Sequence, residues 1–404
     1  MKDNIGKLKD CYGCGVCTAV CPVKIIELRE NKGGFYAPVI IDEDKCINCG
    51  LCLKVCAFNH KELALEHQGH ECFAGYSENK IVRQRCSSGG VGFEIGRYLL
   101  NNGFKACGVR YDAEKERAEH FIAATPEEYA LSIGSKYIQS YSQDAFTVIN
   151  RKEMYLVSGT PCQIDSFRRY IRYFKVEKNF LLLDFFCHGV PSMLLWRDYL
   201  HGVEKEIGKA GFVAWRNKTN GWQDSWNMSI DPVDSKDTDW LNSYNINTFE
   251  GKHFYQSRWK GGDLFYKFFL GNYCLNKCCY KSCKYKCFNS SADIRIGDLW
   301  GKAYSHDNLG TNAVISFTER GKEILNQLTE CHFTSILDNT CVEAQMDKCP
   351  SLPLIYGPLL KALGKDEPLR QTYDRIIKPY RFLTIPRRGM NLICYKVGIK
   401  PLFH

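Results

Sequence analysis

The chain has 404 residues, of which 45% are hydrophobic and 25% are charged, and it contains 22 cysteines. This composition is typical of a globular protein and excludes a disordered or fibrous chain. The net charge is +9, and no run of about 18 apolar residues occurs, so no transmembrane helix is predicted. The charged N-terminus has no apolar signal-peptide core. We therefore expect a cytoplasmic protein whose clustered cysteines bind metal.

Two cysteine quartets with the same spacing, C-x2-C-x2-C-x3-C, begin at Cys11 and at Cys46. This is the spacing of bacterial ferredoxins with two 4Fe-4S clusters, in which the fourth cysteine of each run ligates the other cluster. The first cluster is thus predicted at Cys11, Cys14, Cys17 and Cys56, and the second at Cys46, Cys49, Cys52 and Cys21.

Zinc and disulfides are the alternatives for these cysteines. Zinc ribbons use two separate C-x2-C pairs rather than eight interlocked cysteines. Disulfides do not suit a chain without a signal peptide. The spacing therefore favours clusters, and with them one-electron transfer at this end of the chain.

The remaining pattern divides into further regions. A hairpin-like stretch at 33–39 separates the quartets, and a polar run at 59–70 is a plausible linker, so residues 1–66 are predicted to form a small ferredoxin-type domain. From Cys72 onward apolar strands alternate with helical patterns. Strands are expected at 72–77, 104–111, 119–124, 154–158, 181–187, 212–216 and 293–298. Helices are expected at 89–102, 143–151, 162–173, 191–206 and 261–270.

This alternation predicts an α/β domain over 72–305, with a mixed sheet covered by helices, and gives the chain an α+β or α/β fold class. Residues 217–260, rich in Trp, Asn and Asp, are expected to be an irregular excursion over the sheet. Residues 306–404 are expected to form a helical, basic C-terminal extension.

The basic residues of that extension are concentrated at its end. Residues 365–404 contain nine Lys or Arg and three acidic residues, so they carry a net charge of +6 out of the total of +9. Such a tail could contact an anionic membrane face, nucleic acid or an acidic partner. A solvated helix pair, split by Pro379 and Pro386 and packed on its own core, is the simpler interpretation. Because no recognition module accompanies the charge, we expect no nucleic-acid partner; peripheral membrane contact stays open.

Four segments of the second domain have chemical character. Ser-Ser-Gly-Gly at 87–90 begins an apolar helix, where bare N–H groups can receive phosphate. Segments 158–163 and 184–192 each lead from a strand into a helix and each carry a cysteine, at the strand ends where α/β sheets bind ligands. The fourth segment, 274–301, carries five cysteines followed by a strand and a Gly-Asp-Leu-Trp-Gly turn.

Taken in order, these motifs are specific in combination, and through them the chain resembles the coenzyme F-420 hydrogenase/dehydrogenase beta-subunit family. The motifs that carry the resemblance include Gly134-Ser135-Lys136-Tyr137, Gly159-Thr160-Pro161-Cys162-Gln163, Cys187-His188-Gly189-Val190-Pro191-Ser192 and Asp293-Ile294-Arg295-Ile296-Gly297-Asp298-Leu299-Trp300-Gly301. It is most similar to bacterial members with a fused N-terminal ferredoxin. The likeness covers residues 1–305. It implies FAD and a further 4Fe-4S cluster in the α/β domain.

By this resemblance the flavin site would comprise Ser87, Ser88, Gly89, Gly90, Lys136, Thr160, Gly297, Asp298 and Trp300. The third cluster would be held by Cys162, Cys187, Cys279 and Cys283. The family pattern has C-x2-C at the last pair, whereas three residues separate Cys279 from Cys283 here. Cys278 and Cys287 therefore stay open as ligands.

The residues themselves also suit a flavin, which needs backbone donors, a cation and an apolar face. The Ser-Ser-Gly-Gly turn, Lys136 and the rings of Phe185, Phe186 and Trp300 supply these, although each alone could be structural. His188 is a tentative proton donor to reduced flavin, but capping of the next helix is the preferred interpretation because no second titratable group is placed beside it. Six further cysteines lie in apolar or mixed contexts and receive no role: Cys72, Cys107, Cys331, Cys341, Cys349 and Cys394.

These features predict an iron–sulfur flavoprotein oxidoreductase. Electrons would pass from the ferredoxin-type clusters through the third cluster to FAD and on to a two-electron carrier or substrate. The partner would be a ferredoxin or a redox enzyme, and reverse flow is equally allowed. Two alternatives are a non-catalytic electron-transfer subunit that docks on an enzyme, and a reductase in cell-surface polysaccharide biosynthesis. Nothing in the sequence indicates a deazaflavin site.

Overall fold

A computed structural model of the chain describes residues 3–67, 69–233, 255–343, 345–365 and 367–384. In these ranges the strands are β1 Ile26–Glu30, β2 Tyr36–Ile40, β3 Glu71–Ser77, β4 Lys105–Asp112, β5 Arg117–Ala123, β6 Ser140–Tyr141, β7 Tyr155–Ser158, β8 Phe180–Phe185, β9 Ala210–Ala214, β10 Asn227–Pro232, β11 Tyr255–Arg258, β12 Ile294–Asp298, β13 Asn312–Ser316 and β14 Cys331–Ser335. The α-helices are α1 Val16–Val20, α2 Leu51–Lys54, α3 Lys80–Arg85, α4 Val91–Asn101, α5 Pro126–Tyr129, α6 Gln143–Val148, α7 Pro161–Tyr173, α8 Met193–Ile207, α9 Leu264–Phe269, α10 Lys277–Lys281, α11 Glu319–Gln327, α12 Asp338–Cys341, α13 Tyr356–Ala362 and α14 Leu369–Thr372.

A nine-stranded mixed sheet, ordered β14-β3-β13-β12-β8-β7-β4-β5-β6, forms the centre of the molecule. Its middle strands β4, β7, β8 and β12 are parallel, with Leu156 opposite Leu181 in the β7–β8 pair. The run Leu181–Leu183 is buried on both faces, as parallel strands covered by helices require. The predicted fold class, a mixed sheet in an α/β domain, is confirmed.

Helices cover both faces of this sheet. On one face, α4 and α5 pack on β4, β7 and β8 through a core that includes Ile95, Leu99 and Leu156. On the other face, α6 and α7 pack through Phe146, Ile164 and Phe167. Because the middle strands are parallel, their carboxyl ends meet at one edge of the sheet, and the loops that follow them converge there.

The N-terminal cysteine-rich region shares its apolar core with α6 and α7. Val16, Val20 and Leu53 belong to the same buried cluster as Phe167. The hairpin expected near 33–39 is formed by β1 and β2. The expected linker is also packed, since the Ala64 N–H donates to the Asp165 carboxylate at 2.6 Å. The cysteine-rich region is therefore fixed against the sheet domain by a continuous core.

The predicted irregular excursion at 217–260 contains regular structure where it is described. Strands β9, β10 and β11 form a separate three-stranded antiparallel sheet, which packs on α8 and α9 through residues such as Trp196 and Ile230. The sequence prediction took the Trp and Asn residues of this segment as a sign of irregular structure, but buried strands can also carry such residues. Residues 234–254, including Trp240, lie outside the described ranges.

The region after residue 305 differs from the predicted helical extension. Strand β13 pairs with β12 and β3, and β14 pairs with β3, so a predicted boundary at 305/306 would cut the central sheet. Farther on, helical structure runs through Pro379 rather than breaking there, and a π-helical turn at Tyr373–Ile377 precedes it. Pro386 and the last basic residues, 387–400, lie outside the described ranges. No helix in the described ranges has the length and apolarity needed to cross a bilayer.

Candidate functional site

The first predicted ligand set is brought together around α1. Burial raises the pKa of the Cys17 thiol well above its usual value, and the neighbouring Cys14, Cys11 and Cys56 thiols raise it further. Cys14, Cys17 and Cys56 also belong to one buried cluster, although Cys56 comes from the second run. The arrangement favours occupation by a positively charged iron centre, since a dense group of thiolates is unfavourable without one.

The second predicted set lines a small cavity beside α2. The cavity wall contains Cys21, Cys46, Cys49 and Cys52. The Asn4 side-chain amide donates to the Cys46 sulfur at 3.6 Å. Cys21 therefore crosses to the second run, as Cys56 crosses to the first.

Helix α7 links the first cysteine set to the sheet domain. The Cys14 thiol donates to the Ser166 hydroxyl at 3.2 Å, and the Ala57 N–H donates to the same oxygen at 3.0 Å. Cys162 lies four residues before Ser166, on the same side of the helix. Burial raises the pKa of Cys162, and both Cys187 and Cys14 add to that rise. Cys162 thus lies between the first set and Cys187.

A third group of four thiols forms at the carboxyl edge of the sheet from segments that are distant in sequence. Cys162 begins α7, Cys187 follows β8, and Cys279 and Cys283 lie in and just after α10. Burial raises the pKa of Cys187 to about 11, with a contribution from Cys283. Burial likewise raises that of Cys279, with contributions from Cys187 and Cys283. The C-x3-C pair spans the end of α10, with Cys279 inside the helix and Cys283 just beyond the Ser282 C-cap.

The two alternative ligands differ in position. The charge of Cys278 raises the pKa of Cys11 in the first set, and Cys278 also shares a cluster with Cys162 and Cys283, so it adjoins both groups. The Cys287 thiol donates to the Met346 carbonyl at 3.1 Å. A different cysteine, Cys349, comes close to the third group: its thiol donates to the Cys283 carbonyl at 3.2 Å, and a hydrogen bond from it lowers the pKa of the Cys283 thiol. Its sequence context, a lone cysteine before Pro350, gave no signal for this contact.

A cavity of about 990 Å³ adjoins the third group at the same edge of the sheet. Its walls include the loops after β7, β8 and β12 and the start of α4, and Cys187 belongs to its lining. This volume is at the upper end for small-molecule sites, large enough for an extended cofactor. Of the nine predicted flavin residues, the lining contains Ser87, Ser88, Gly90, Lys136, Thr160, Gly297, Asp298 and Trp300.

Gly89 is the exception, because it faces the sheet. A Cβ on Gly89 would lie 2.5 Å from the Gly75 carbonyl oxygen and 2.8 Å from the Asn312 nitrogen, so glycine lets the loop pack on β3 and β13. Gly90 precedes α4 with φ of 89°, a conformation that favours glycine. The Ser-Ser-Gly-Gly segment therefore combines one glycine for packing with one for the turn into the helix.

Lys136 and Thr160 are both engaged by the protein itself. The Lys136 ammonium donates to the carbonyls of Leu131, Ser132 and Ile133 at 2.9–3.2 Å, and burial lowers its pKa to about 7. Thr160 caps α7, and its hydroxyl lies 3.2 Å from the Cys162 sulfur. Lys136 is thus a cation held at the cavity wall, and Thr160 connects that wall to the third group of thiols.

The Gly-Asp-Leu-Trp-Gly turn is supported by residues that the sequence did not single out. The Arg216 guanidinium, fully buried, forms an ion pair with Asp298 at 2.8 Å and lies 5.3 Å from the Trp300 ring centroid. Trp222 stacks on Trp300 at 4.6 Å. Lys218 donates to the Ser88 carbonyl at 2.6 Å and also to the Arg83 and Leu309 carbonyls. Two cations directly after strand β9 are the signal that could have found them.

His188 lines the cavity and does not cap α8. Ser192 caps that helix, since its hydroxyl accepts from the Leu194 N–H, so the preferred sequence interpretation is wrong. The His188 Nε2 lies 3.3 Å from the Phe269 carbonyl. Burial, and then the charge of Lys286, lower the pKa of His188. These surroundings therefore favour the neutral imidazole over the charged one.

Together, the dicluster pattern, the sheet and its cysteine-lined edge define an iron–sulfur electron-transfer protein. Residues 10–60 match the 4Fe-4S dicluster domain, and residues 152–337 match the family model that describes the C terminus of the coenzyme F420 hydrogenase/dehydrogenase beta subunit. These two matches confirm the resemblance seen in the sequence: residues 152–337 are similar to the C terminus of that beta subunit, and residues 10–60 form a 4Fe-4S dicluster domain.

A solved structure, "Xenon derivatization of the F420-reducing NiFe hydrogenase complex from Methanosarcina barkeri", contains a similar chain. The identity is 14% and the TM-score 0.45, with 85% of this chain and 100% of that chain covered. No match to a curated protein was found.

Proposed function

We propose that the chain is an iron–sulfur flavoprotein oxidoreductase. In this proposal the N-terminal cysteines would hold two 4Fe-4S clusters, Cys162, Cys187, Cys279 and Cys283 would hold a third, and the large cavity would hold FAD. When bound, these groups would supply electron transfer between a protein partner and a two-electron carrier or substrate. A flavin converts one-electron transfers into two-electron chemistry. Electron flow in either direction is compatible with this arrangement.

One observation carries the proposal: the third group of thiols lies between the first cysteine set and the cavity. Cys162 is near Cys14 of the first set, and Cys187 lines the cavity. A cluster held there would therefore adjoin both sites. Thiolates from three separate segments are a ligand set that favours an iron–sulfur cluster in a protein already built for two of them.

The lining residues fit a flavin dinucleotide. The start of α4, with its Gly90 turn, offers backbone N–H groups and the positive end of a helix dipole to a pyrophosphate. Lys136, Lys286 and Lys348 give the lining a positive charge, whereas Asp298 is neutralised by Arg216. Phe186 and Trp300 supply apolar faces for a ring system. The protein would thus bind the anionic part of the ligand through backbone and lysine groups and shield its rings from water.

His188 has a distinct role in the proposal. The imidazole lies at the cavity wall with its Nε2 3.3 Å from the Phe269 carbonyl, and the Asn272 side chain also interacts with the ring. We assign His188 the transfer of a proton at the cavity wall, because it is a titratable group of the lining whose pKa lies below the usual histidine value.

The surface near the second cysteine set supports a protein partner. Cys49 is exposed, and the neighbouring Ile47 has 61% of its surface accessible. An exposed apolar side chain beside a cluster-binding loop is the kind of surface on which a ferredoxin could dock. The same observation favours a second candidate function, an electron-transfer subunit whose substrate chemistry takes place on another chain.

Cofactor analysis of the anaerobically purified chain tests the proposal. We expect bound flavin and about twelve iron atoms per chain, four for each of three cubanes. Eight iron atoms without flavin would remove the third cluster and the flavin from the proposal. Turnover of a soluble two-electron acceptor by the isolated chain separates the oxidoreductase from the electron-transfer subunit, which needs its partner.

A further inference from the structure

A second metal-ligating group lies away from the cavity, at the start of β3. The His70 Nε2, the Cys72 sulfur and an Asp338 carboxylate oxygen all lie within 4.8 Å of one another. The Asp338 carboxylate contacts both of the other groups: one oxygen lies 3.0 Å from the His70 Nε2, and the other accepts a hydrogen bond from the Cys72 thiol at 3.5 Å. A fourth ligand is adjacent, since Cys341 belongs to the same buried cluster as Cys72.

The local spacing explains this convergence. His70 and Cys72 are two residues apart at the beginning of a strand, where alternate side chains share one face. Asp338 and Cys341 are three residues apart on α12, where such side chains are neighbours. The strand and the helix are joined by a hydrogen bond from the Ile336 N–H to the Cys72 carbonyl at 3.0 Å. Two short motifs, His-x-Cys and Asp-x-x-Cys, therefore face each other.

From this geometry we infer a tetrahedral Zn²⁺ site with the ligands His70, Cys72, Asp338 and Cys341. Two thiolates, one imidazole and one carboxylate form a ligand set that zinc accepts in structural sites. Donor atoms around a tetrahedral zinc ion are about 3.6 Å apart, given bonds of about 2.0–2.3 Å. The Asp338 carboxylate already lies close to that distance from two of the other donors, at 3.0 Å from the His70 Nε2 and 3.5 Å from the Cys72 sulfur.

The surroundings support a structural site rather than a catalytic one. Both thiols are buried, Cys341 completely. The His70 ring stacks on Phe288 at 4.2 Å, which fixes the orientation of the imidazole. Four protein ligands leave no open position for a substrate. This site lies outside the three cysteine groups assigned to iron.

The position of the site indicates what a bound ion would stabilise. It would fasten the beginning of the sheet domain, just after the cysteine-rich region, to α12. The chain after α12 contributes Gln345, Lys348 and Cys349 to the cavity wall. Binding at the site would therefore hold a cavity-lining segment against β3, independently of which cofactor occupies the cavity.

Zinc analysis of the full-length protein, purified anaerobically without chelators, tests the inference. We expect about one zinc per chain beside the iron. The zinc X-ray absorption edge should report two sulfur and two nitrogen or oxygen neighbours. Full iron without zinc would overturn the inference. So would zinc with four sulfur neighbours, which would mean occupation of a cysteine quartet, or a Cys72–Cys341 disulfide in the intact mass.

Variants locate the ion. Cys341→Ser and His70→Gln should each lower the zinc content severalfold while the iron content stays unchanged. Cys107→Ser, which alters a fully buried cysteine in β4, is the matched control and should keep its zinc. Unchanged zinc in both site variants would overturn the assignment. The absorption measurement on the unmodified protein decides the matter even if a variant fails to fold.

Discussion

The two cysteine-rich parts of this molecule are built in opposite ways. In the N-terminal region, eight cysteines within two short runs form two sets, and the spacing alone predicts which sulfurs meet. At the sheet edge, the four thiols of the third group come from three segments separated by tens of residues, and the sheet brings them together. The first arrangement depends on local turns, whereas the second depends on the parallel strands that align their carboxyl ends. The two should therefore respond differently to substitution.

The largest expected effect is that of Cys187→Ser. The third group loses one thiolate, so we expect the loss of about four iron atoms per chain, with the N-terminal clusters retained. Flavin reduction by a reduced ferredoxin should fall to background, because the relay is removed, while dithionite should still reduce the flavin. Iron analysis and anaerobic stopped-flow absorbance measure these effects.

Cys287→Ser is the matched control, since its thiol faces the Met346 carbonyl rather than the third group. It should keep twelve iron atoms and normal reduction. If Cys187→Ser kept all its iron, or if Cys287→Ser lost four atoms, the assignment of the third group would be wrong.

Asp298→Asn tests whether the cavity at the sheet edge depends on the contact between Asp298 and Arg216. The variant leaves the buried Arg216 guanidinium without its carboxylate, which costs about 3 kcal/mol. We expect a lower urea midpoint and weaker flavin binding, with the N-terminal iron unaffected. Asp374→Asn removes a partly exposed carboxylate paired with Arg370 and Lys378, and it should change stability by less than about 1 kcal/mol. Equal effects of the two substitutions would contradict the role of the Arg216–Asp298 pair.

A smaller effect is expected in the pH dependence of flavin binding. Burial lowers the pKa of Lys136 to about 7, so its ammonium is charged below pH 7 and neutral above. An anionic ligand binds the charged form better, and its affinity should therefore fall by up to about tenfold per pH unit above 7. Lys136→Gln should make this profile flat, whereas Lys302→Gln, at an exposed position, should not. A profile that stays steep in Lys136→Gln would assign the titration to another group.

In the flavin-free protein the same shift acts with the opposite sign. Between pH 7 and 10.5 the unfolded chain holds a proton on Lys136 that the folded chain lacks. The contribution of this residue to the free energy of unfolding therefore rises with pH across that window. Denaturation midpoints of the flavin-free protein and of Lys136→Gln, compared at pH 7 and pH 9, measure it.

The smallest expected effect is that of Cys349→Ser. The four cysteines of the third group suffice for one cubane, so the iron content should stay at about twelve atoms per chain. The thiol hydrogen bond to Cys283 disappears, and we expect a small change in the potential of the third cluster, measured by redox titration. Loss of four iron atoms would instead make Cys349 a ligand.

Most regular elements could be predicted from the sequence. Strands β3, β4, β7, β8 and β12 and helices α4, α7 and α8 lie within a few residues of their expected positions, because their apolar periodicity is strong. Strands β13 and β14 were missed because they are short and follow the last family motif. Strand β10 was missed because Asn227 and Ser229 occupy buried positions in it.

The candidate site was predictable only in part. Eight of the nine predicted flavin residues line the cavity, because glycine turns and strand ends leave a mark in the sequence. Arg216, Lys218 and Cys349 left little mark, because each acts through a contact with a residue far away in the chain. The cap assigned to His188 failed because Ser192, a better capping residue, follows four positions later.

The sequence by itself determined the N-terminal chemistry: the spacing of the eight cysteines indicates two 4Fe-4S clusters and the crossing of their fourth ligands, because the ligand loops are local. Only the tertiary structure decided what those clusters adjoin. It placed Cys162 beside Cys14 through α7, turned the Cys287 thiol towards the Met346 carbonyl, and brought His70 and Cys72 against Asp338 and Cys341. The physical reason is that sheet pairing, not spacing along the chain, sets distances between remote side chains.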